Sequence, residues 1–425
     1  MNYYSKIKNS TFFKSIFQLA FGSILAQLIT VLCSPFLTRI YSVEDMGMYA
    51  LLLTVISIFG SVINGKYDFA IVSTKDEKDI DGLVQVSFLF SIVATILIVI
   101  FFSSYLIFIA DIKNNIILIM LLIFLLLLIV GIVNILNSIN NRMQNYKIIS
   151  EVYVIRTSIQ NFLLLILGMF NFGPVGMLGA QVIGNLMGIR KQYKTTNISN
   201  LFNKNLDFKR LVFIVKKYKS FPMFSMSANI LNNISYSILN FFISGLFGMT
   251  SLGLYSMSYK ILGLPLSLIS VNVSKVFFRD AAEEYKDYGR YNKALFKSTI
   301  LLTSLAIPMC IILFAFSPII FEIAFGKDWR VAGEYAKILA PMFSIRLVVG
   351  SLVPAFIVCN KQRFELLFQS LFVFSSIANY IFAYFLEWTI ETFLTSYSIM
   401  NVIIYFILYV IIFKLGRGKK YEQKD

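Results

Sequence analysis

Three basic side chains stand inside long apolar runs of this 425-residue chain: Arg156, Lys260 and Arg346. A cation near the centre of a lipid bilayer costs about 2.5 to 3.5 kcal/mol on insertion scales, so such residues usually face water or a partner. Glu151 is five positions from Arg156, which is poor spacing for a helical ion pair. The runs that hold the other two cations contain no acid. Two interpretations follow: the cations line a cavity that binds an anion, or they snorkel to an interface or pair with backbone carbonyls.

Polar side chains recur at helical spacing in three of the apolar runs. Steps of three or four residues place them on one face of a helix, and their amides, hydroxyls and phenols suit the hydroxyls of a sugar. The three stripes are Ser23, Gln27, Thr30, Ser34 and Thr38; Ser225, Asn229, Asn232, Tyr236 and Asn240; and Asn134, Asn137, Asn141 and Asn145. Such residues also join packed helices in lipid, so one stripe fits a cavity and packing equally well, and three together favour a cavity. The predicted substrate-binding residues are Arg156, Lys260, Arg346, Asn229, Asn232, Tyr236 and Gln27.

The composition argues against familiar catalytic and metal chemistry. There is no histidine, and the three cysteines, Cys33, Cys310 and Cys359, are far apart. Phosphate-loop, nucleophile-elbow and zinc-protease motifs do not occur. The sequence therefore predicts a protein that is not an enzyme, with no catalytic residue, metal or cofactor.

The elements that position these residues are predicted to be membrane helices. Hydrophobic residues make up 58% of the chain and charged residues 14%, against about a quarter charged in soluble domains. A spanning helix needs about 20 mostly apolar residues. Twelve runs qualify: 15–37, 47–64, 83–106, 115–137, 148–170, 174–190, 220–243, 250–273, 298–320, 337–358, 364–386 and 392–413.

The net charge of +16 is explained by membrane topology. With both termini cytoplasmic, 30 of the 38 Lys and Arg residues lie in cytoplasmic segments and five lie in external loops. Cytoplasmic loops carry such an excess. We therefore expect a multi-pass protein of the cytoplasmic membrane with both termini inside, and no nucleic-acid partner.

The longest polar connection, 191–219, divides the runs into six and six. It predicts an N-terminal lobe over 1–205 and a C-terminal lobe over 206–425. VEDMGMYA (43–50) and MTSLGLYS (249–256) each open the second run of their half. This weak repeat favours two bundles of parallel orientation, a common plan for transporters.

The run SPFLTRIYSVEDMGMYAL (34–51), followed by KYDFAIVSTKDEKD (66–79), resembles the opening of bacterial Wzx-type oligosaccharide flippases. These belong to the multidrug/oligosaccharidyl-lipid/polysaccharide exporter superfamily. VNVSKVFFRDAAEEYKDYG (271–289) and FGKDWRVAGEYAKILAPMFSIRLVVGSLVPAFIVCNKQRFELLFQ (325–369) resemble later blocks of the same family. The resemblance extends over nearly the whole chain.

The resemblance implies an all-α polytopic membrane protein with about twelve transmembrane helices in two six-helix lobes around a central cavity, as in MATE transporters. It implies a flippase that moves undecaprenyl-pyrophosphate-linked repeat units across the bacterial inner membrane for O-antigen (lipopolysaccharide) or capsular polysaccharide assembly. By chemistry, it gives Arg156, Lys260 and Arg346 the role of binding the pyrophosphate. The partners expected are the lipid-linked glycan, the bilayer, and the polymerase and chain-length proteins of the same pathway.

Three alternatives remain. A MATE-type exporter of cationic drugs would place a carboxylate in the cavity, whereas the charges in the middle of the runs are all positive. A polysaccharide polymerase would need an external catalytic loop, and the longest predicted external loop, 321–336, is short. A non-catalytic scaffold would leave the buried cations unexplained.

Overall fold

A computed structural model describes the backbone over residues 2–108, 115–195 and 208–417, and the side chains over the same ranges except 2–20 and 362. Within these ranges the protein is helical and contains no β-strand. The α-helices are α1 (Asn2–Ile40), α2 (Val43–Phe59), α3 (Tyr67–Ser73), α4 (Lys78–Phe108), α5 (Ile116–Arg142), α6 (Tyr146–Met169), α7 (Gly173–Leu186), α8 (Ile189–Lys194), α9 (Phe208–Lys217), α10 (Ser227–Pro265), α11 (Val271–Tyr288), α12 (Asn292–Phe325), α13 (Arg330–Gly350), α14 (Ala355–Val358), α15 (Gln362–Phe385) and α16 (Ile390–Gly416). π-Helical turns precede and follow α10, and a 3₁₀ turn precedes α13.

Nine helical stretches in the described ranges are long and apolar enough to cross a membrane. The stretch Phe221–Tyr288 contains two predicted spans, 220–243 and 250–273. Gly248, with φ 82° and ψ 178°, interrupts α10 between them. The predicted spans 47–64 and 174–190 correspond to α2 and α7, which have 17 and 14 residues and fall short of the usual length. The count of twelve therefore stays a prediction.

The chain divides into two compact units, Met1–Ser237 and Ile238–Asp425. The predicted lobe boundary at 205/206 lies outside the described residues. In the first unit α1 packs closely on α6, where Gly22 leaves room for Ser150. The Tyr41 hydroxyl donates to the carbonyl oxygen of Leu164 at 2.8 Å and joins the same two segments.

A turn over residues 60–66 separates α2 from α3 in the first unit. The buried amide of Asn64 donates to the carbonyl oxygen of Gly131 at 3.1 Å. The Asn134 amide donates to the carbonyl oxygen of Gly60 at 2.8 Å. Carbonyls freed by the end of a helix need such partners. Asn134, from one of the predicted polar stripes, therefore serves packing.

The second unit is built around α12, α13 and α16, with α13 packed against both of the others. Gly333 of α13 lies against the backbone of Pro318, where any larger residue would collide. A hydrophobic core of the second unit is formed by α11 to α16 and includes Phe277, Tyr291, Leu347, Phe356 and Tyr405.

Candidate functional site

Arg156 lies on α6 with 9% of its surface exposed. Its Nε donates to the carbonyl oxygen of Met187 at 3.1 Å, and its Nη2 donates to Oε1 of Gln192 at 3.4 Å. Both acceptors are neutral, and no carboxylate of the described residues pairs with this guanidinium. The contact with Met187 matches the expectation of pairing with a backbone carbonyl, but it leaves the positive charge uncompensated.

A cavity of about 190 Å³ adjoins the Arg156 guanidinium, and its volume is enough for several water molecules. Its wall is formed by Ser23, Asn137, Ile149, Ser150, Val152, Tyr153, Arg156 and Gln192. Gln192 is fully buried, and its Nε2 donates to Oδ1 of Asn137 at 2.6 Å. The cavity therefore lies within the first unit and combines a largely apolar surface with the positive charge of Arg156 and several polar side chains.

Gly188 makes this arrangement possible because it joins α7 to α8 in a left-handed conformation, with φ 84°. A Cβ atom at this position would lie 2.6 Å from Cγ1 of Val152. Only glycine combines such a φ with so close an approach. The sharp turn places Gln192 beside α6.

Sequence reasoning missed Gln192 because it is the second residue of the segment interpreted as a polar connector, 191–219. That segment in fact begins with the last residues of α8 and ends with α9 and the turn after it. A helix of six residues is too short to show an apolar period. The only local signal is Gly188, a residue type that often follows a helix end.

Arg346 lies on α13 in the second unit, beside aromatic rings. Its Nη1 donates to the hydroxyl of Tyr259 at 2.8 Å. The guanidinium carbon is 5.9 Å from the ring centre of Tyr259 and 5.7 Å from that of Phe343, within the range of cation–π attraction. Lys260 is half-buried and follows Tyr259 directly on α10. The structure thus places Arg346 at the hydroxyl and ring of Tyr259, and Lys260 on the same helix one residue further along the chain.

The other predicted residues lie on two helices. Gln27 is half-buried on α1. On α10, the Asn229 amide donates to the carbonyl oxygen of Ser225 at 2.8 Å, and the carbonyl oxygen of Asn232 accepts the hydroxyl of Ser235 at 2.6 Å. Tyr236 is 40% exposed. The Asn229 amide therefore bonds to its own helix.

A buried charge pair follows the second predicted span. Lys66 and Asp68 are 3% and 4% exposed. The ammonium group of Lys66 lies 4.2 Å from the ring centre of Phe69. Oδ1 of Asp68 has no hydrogen-bond partner among the residues that the structure describes. Burial raises the pKa of Asp68 to about 6, although the charge of Lys66 opposes the shift. Burial also lowers the pKa of Lys66.

The described helices and their lengths define a multi-pass membrane protein of the MATE-like fold. The lipid II flippase MurJ, in an inward closed conformation, matches 94% of this chain and 90% of its own, with 15% identity and a TM-score of 0.73. An inward-facing multidrug resistance MATE family transporter of the MOP superfamily matches 94% of each chain, with 15% identity and a TM-score of 0.63.

The polysaccharide biosynthesis protein family matches residues 36–334, and the chain belongs to this family. The teichuronic acid biosynthesis protein TuaB of Bacillus subtilis (strain 168) is 24% identical over 136 residues. That match covers 32% of this chain and 28% of the relative. The all-α, MATE-like fold and the family resemblance predicted from the sequence are thereby confirmed.

Proposed function

We propose that this protein is a flippase that moves undecaprenyl-pyrophosphate-linked oligosaccharide units across the bacterial inner membrane, with both termini in the cytoplasm. The units would serve O-antigen or capsular polysaccharide assembly. Membership of the polysaccharide biosynthesis family and a fold shared with a lipid II flippase support this function. The observation that carries it is the buried guanidinium of Arg156, which pairs with no carboxylate of the described residues and lies beside a cavity with several polar side chains.

A pyrophosphate needs substitutes for its hydration before it can cross hydrocarbon. Arginine supplies planar, paired donors to phosphate oxygens, and lysine supplies a compact charge. The first unit offers Arg156, and the second unit offers Arg346 and Lys260. The guanidinium of Arg156 now donates to neutral oxygens. A phosphate oxygen in the cavity would give it a charged acceptor, and hydrogen bonds between charged groups are stronger.

The glycan would bind polar side chains, while the lipid tail stays in the bilayer. Gln27, Asn229, Asn232 and Tyr236 supply amides and a phenol of the kind that bind sugar hydroxyls. Alternating access would then expose the load to the opposite side. In this cycle the protein transports its substrate and makes or breaks no covalent bond.

The test uses a deletion strain complemented with Arg156→Ala, Arg156→Lys or the control Arg39→Ala. Arg39 is exposed, and its Nη1 donates to the carbonyl oxygen of Pro35 at 2.7 Å. At equal protein levels, we expect Arg156→Ala to lose surface polysaccharide and retain lipid-linked units on the cytoplasmic side. Arg156→Lys should keep part of the activity, and Arg39→Ala should keep all of it. Normal surface polysaccharide in Arg156→Ala, Lys260→Ala and Arg346→Ala alike would refute the cationic site.

The deletion strain by itself separates the proposed function from its rivals. Loss of a flippase should remove all surface repeat units. Single repeat units on the surface with loss of only the long chains would indicate a polymerase. Normal polysaccharide with new sensitivity to cationic drugs would indicate a small-molecule exporter. Either result would overturn the flippase assignment.

A further inference from the structure

The second unit contains a larger cavity, of about 540 Å³, which the proposed transport cycle does not use. It is a trough whose floor is α13 and whose walls are α12 and α16. The two walls pack against the floor far more extensively than against each other. Most of the lining is apolar and includes Ala306, Ile307, Ile345, Val348, Val349 and Phe406.

Proline and small residues account for the space between these helices. Pro308 in α12 and Pro341 in α13 each lack the N–H that would continue the helix, and their rings crowd the preceding turn. Pro341 lines the trough, as do Ala306 and Ser344 close to the two prolines. Short side chains at these points leave the volume unfilled.

The trough is open at the surface of the second unit, where Ile307 and Phe406 line it and are 54% and 60% exposed. Exposed apolar side chains on a spanning helix are typical of a surface that contacts lipid. Along α12 the lining runs from Thr299 to Cys310, which at 1.5 Å per residue is about 16 Å. This length corresponds to one leaflet, or about half of a hydrocarbon core of about 30 Å.

Two buried hydroxyls line this trough, those of Thr299 and Ser344. Neither Thr299 Oγ1 nor Ser344 Oγ has a hydrogen-bond partner within the described part of the chain. Leaving such a group unsatisfied costs about 1 to 3 kcal/mol. By contrast, the hydroxyl of Ser351, at the end of the same helix as Ser344, donates to the carbonyl oxygen of Leu347 at 2.7 Å. A trough that held only hydrocarbon would leave both hydroxyls unpaired.

The two hydroxyls lie at different depths. α12 and α13 are joined by a short 3₁₀ turn, so they run antiparallel, and the hydroxyl of Ser317 donates to the carbonyl oxygen of Gly333 at 2.8 Å. In this register Ser344 is level with about residue 306, so Thr299 lies about 10 Å closer to the start of α12. The predicted span of α12 begins at 298, which places Thr299 at the edge of the hydrocarbon, near the ester groups that link acyl chains to glycerol.

We propose that the trough binds one acyl chain of a membrane glycerolipid, with an ester carbonyl accepting a hydrogen bond from Thr299 and the chain passing Ser344. The chain matches the length and apolar lining of the trough, and the ester supplies the missing acceptor. A polyprenyl tail matches less well, because it has no carbonyl and is longer than one leaflet. This site is separate from Arg156 and does not depend on the proposed transport function.

The test measures lipid retained by the full-length protein after extensive washing in detergent, by native mass spectrometry and lipid extraction. We expect about one glycerophospholipid per protein. Ser344→Leu fills the trough and should abolish retention. Thr299→Val removes the donor with little change in shape and should weaken rebinding of dioleoyl phosphatidylethanolamine roughly two- to ten-fold. The control Ser351→Ala removes a hydroxyl that already has a backbone acceptor and should rebind like the wild type.

Several outcomes would overturn the proposal. Retention of polyprenyl phosphate in place of glycerophospholipid would assign the trough to the carrier, and a wild-type protein free of lipid would leave it without the occupant proposed. Equal rebinding by Thr299→Val and the wild type would show that the Thr299 hydroxyl does not bind the ester. If Ser344→Leu does not fold, the comparison of Thr299→Val with Ser351→Ala still decides the question.

Discussion

Replacing Gln192 with glutamate tests the charge of the cavity with almost no change in shape. Oε1 of Gln192 lies 3.4 Å from Nη2 of Arg156, so a carboxylate at this position would neutralise the guanidinium. The amide of Asn137 can turn to donate to the second carboxylate oxygen and so keep that contact. The cavity would then change from positive to neutral while its lining stays polar.

The effect on stability should be small and the effect on function large. At 3.4 Å and an effective dielectric constant of 20, attraction between the charges is about 5 kcal/mol. Removing a second charge from water offsets most of that gain, so we expect a net change of about 1 to 2 kcal/mol in the free energy of unfolding. An anionic substrate would lose charge-assisted hydrogen bonds of about 1.5 to 3 kcal/mol, or roughly 10- to 150-fold in affinity.

The assay compares surface polysaccharide and cytoplasmic-side lipid-linked units in strains that carry Gln192→Glu or the control Gln181→Glu. Gln181 lies on α7 and accepts the amide of Asn185 at 3.3 Å, away from Arg156. Both variants should reach the membrane at wild-type levels, and only Gln192→Glu should fail to export. Wild-type export by Gln192→Glu at equal protein level would refute the role of the Arg156 charge.

Two further predictions concern the first unit. Gly188→Ala should lower the free energy of unfolding by roughly 2 to 5 kcal/mol, since alanine is strained at φ 84° and its Cβ collides with Val152; an unchanged thermal midpoint in detergent would contradict this. The carboxyl of Asp68 has a folded-state pKa of about 6 against an ordinary value of 3.8, so folding favours its neutral form. The contribution of Asp68 to the free energy of unfolding should be greatest below about pH 4 and fall by about 3 kcal/mol as the pH rises to about 6. Asp68→Asn should remove this dependence and be more stable than the wild type at pH 7.5 in denaturation curves; a drop of the same size in the variant would show that another group causes it.

Membrane helices were predictable where apolar runs are long. α5 and α16 coincide with runs predicted at 115–137 and 392–413, because hydropathy over about 20 residues depends on composition alone. The helices that escape this criterion are short or broken. α3 is a helix of seven residues after a turn held by Asn64, and such a turn is determined by contacts with other helices.

The candidate site was predictable in part, for a similar reason. Arg156 stands out because a cation is costly in an apolar run. Its partner Gln192 does not stand out in the sequence, because it is uncharged and lies in a polar segment. Only the folded structure shows that it is buried. Tyr259 likewise resembles any aromatic residue of a membrane helix until Arg346 is placed beside its hydroxyl.

The sequence by itself determined that this is an all-helical membrane protein, which residues carry isolated charge, and which family it resembles. These properties depend on composition and on short-range pattern, since each helix satisfies its own backbone in lipid. Tertiary structure alone decided that Arg156 meets neutral acceptors beside a cavity and that Asn134 serves packing. It also decided that, among the described residues, the hydroxyl of Ser344 has no hydrogen-bond partner whereas that of Ser351 donates to a backbone carbonyl. Such differences arise from which helices meet and at what distance, and residues far apart in sequence carry no local sign of that.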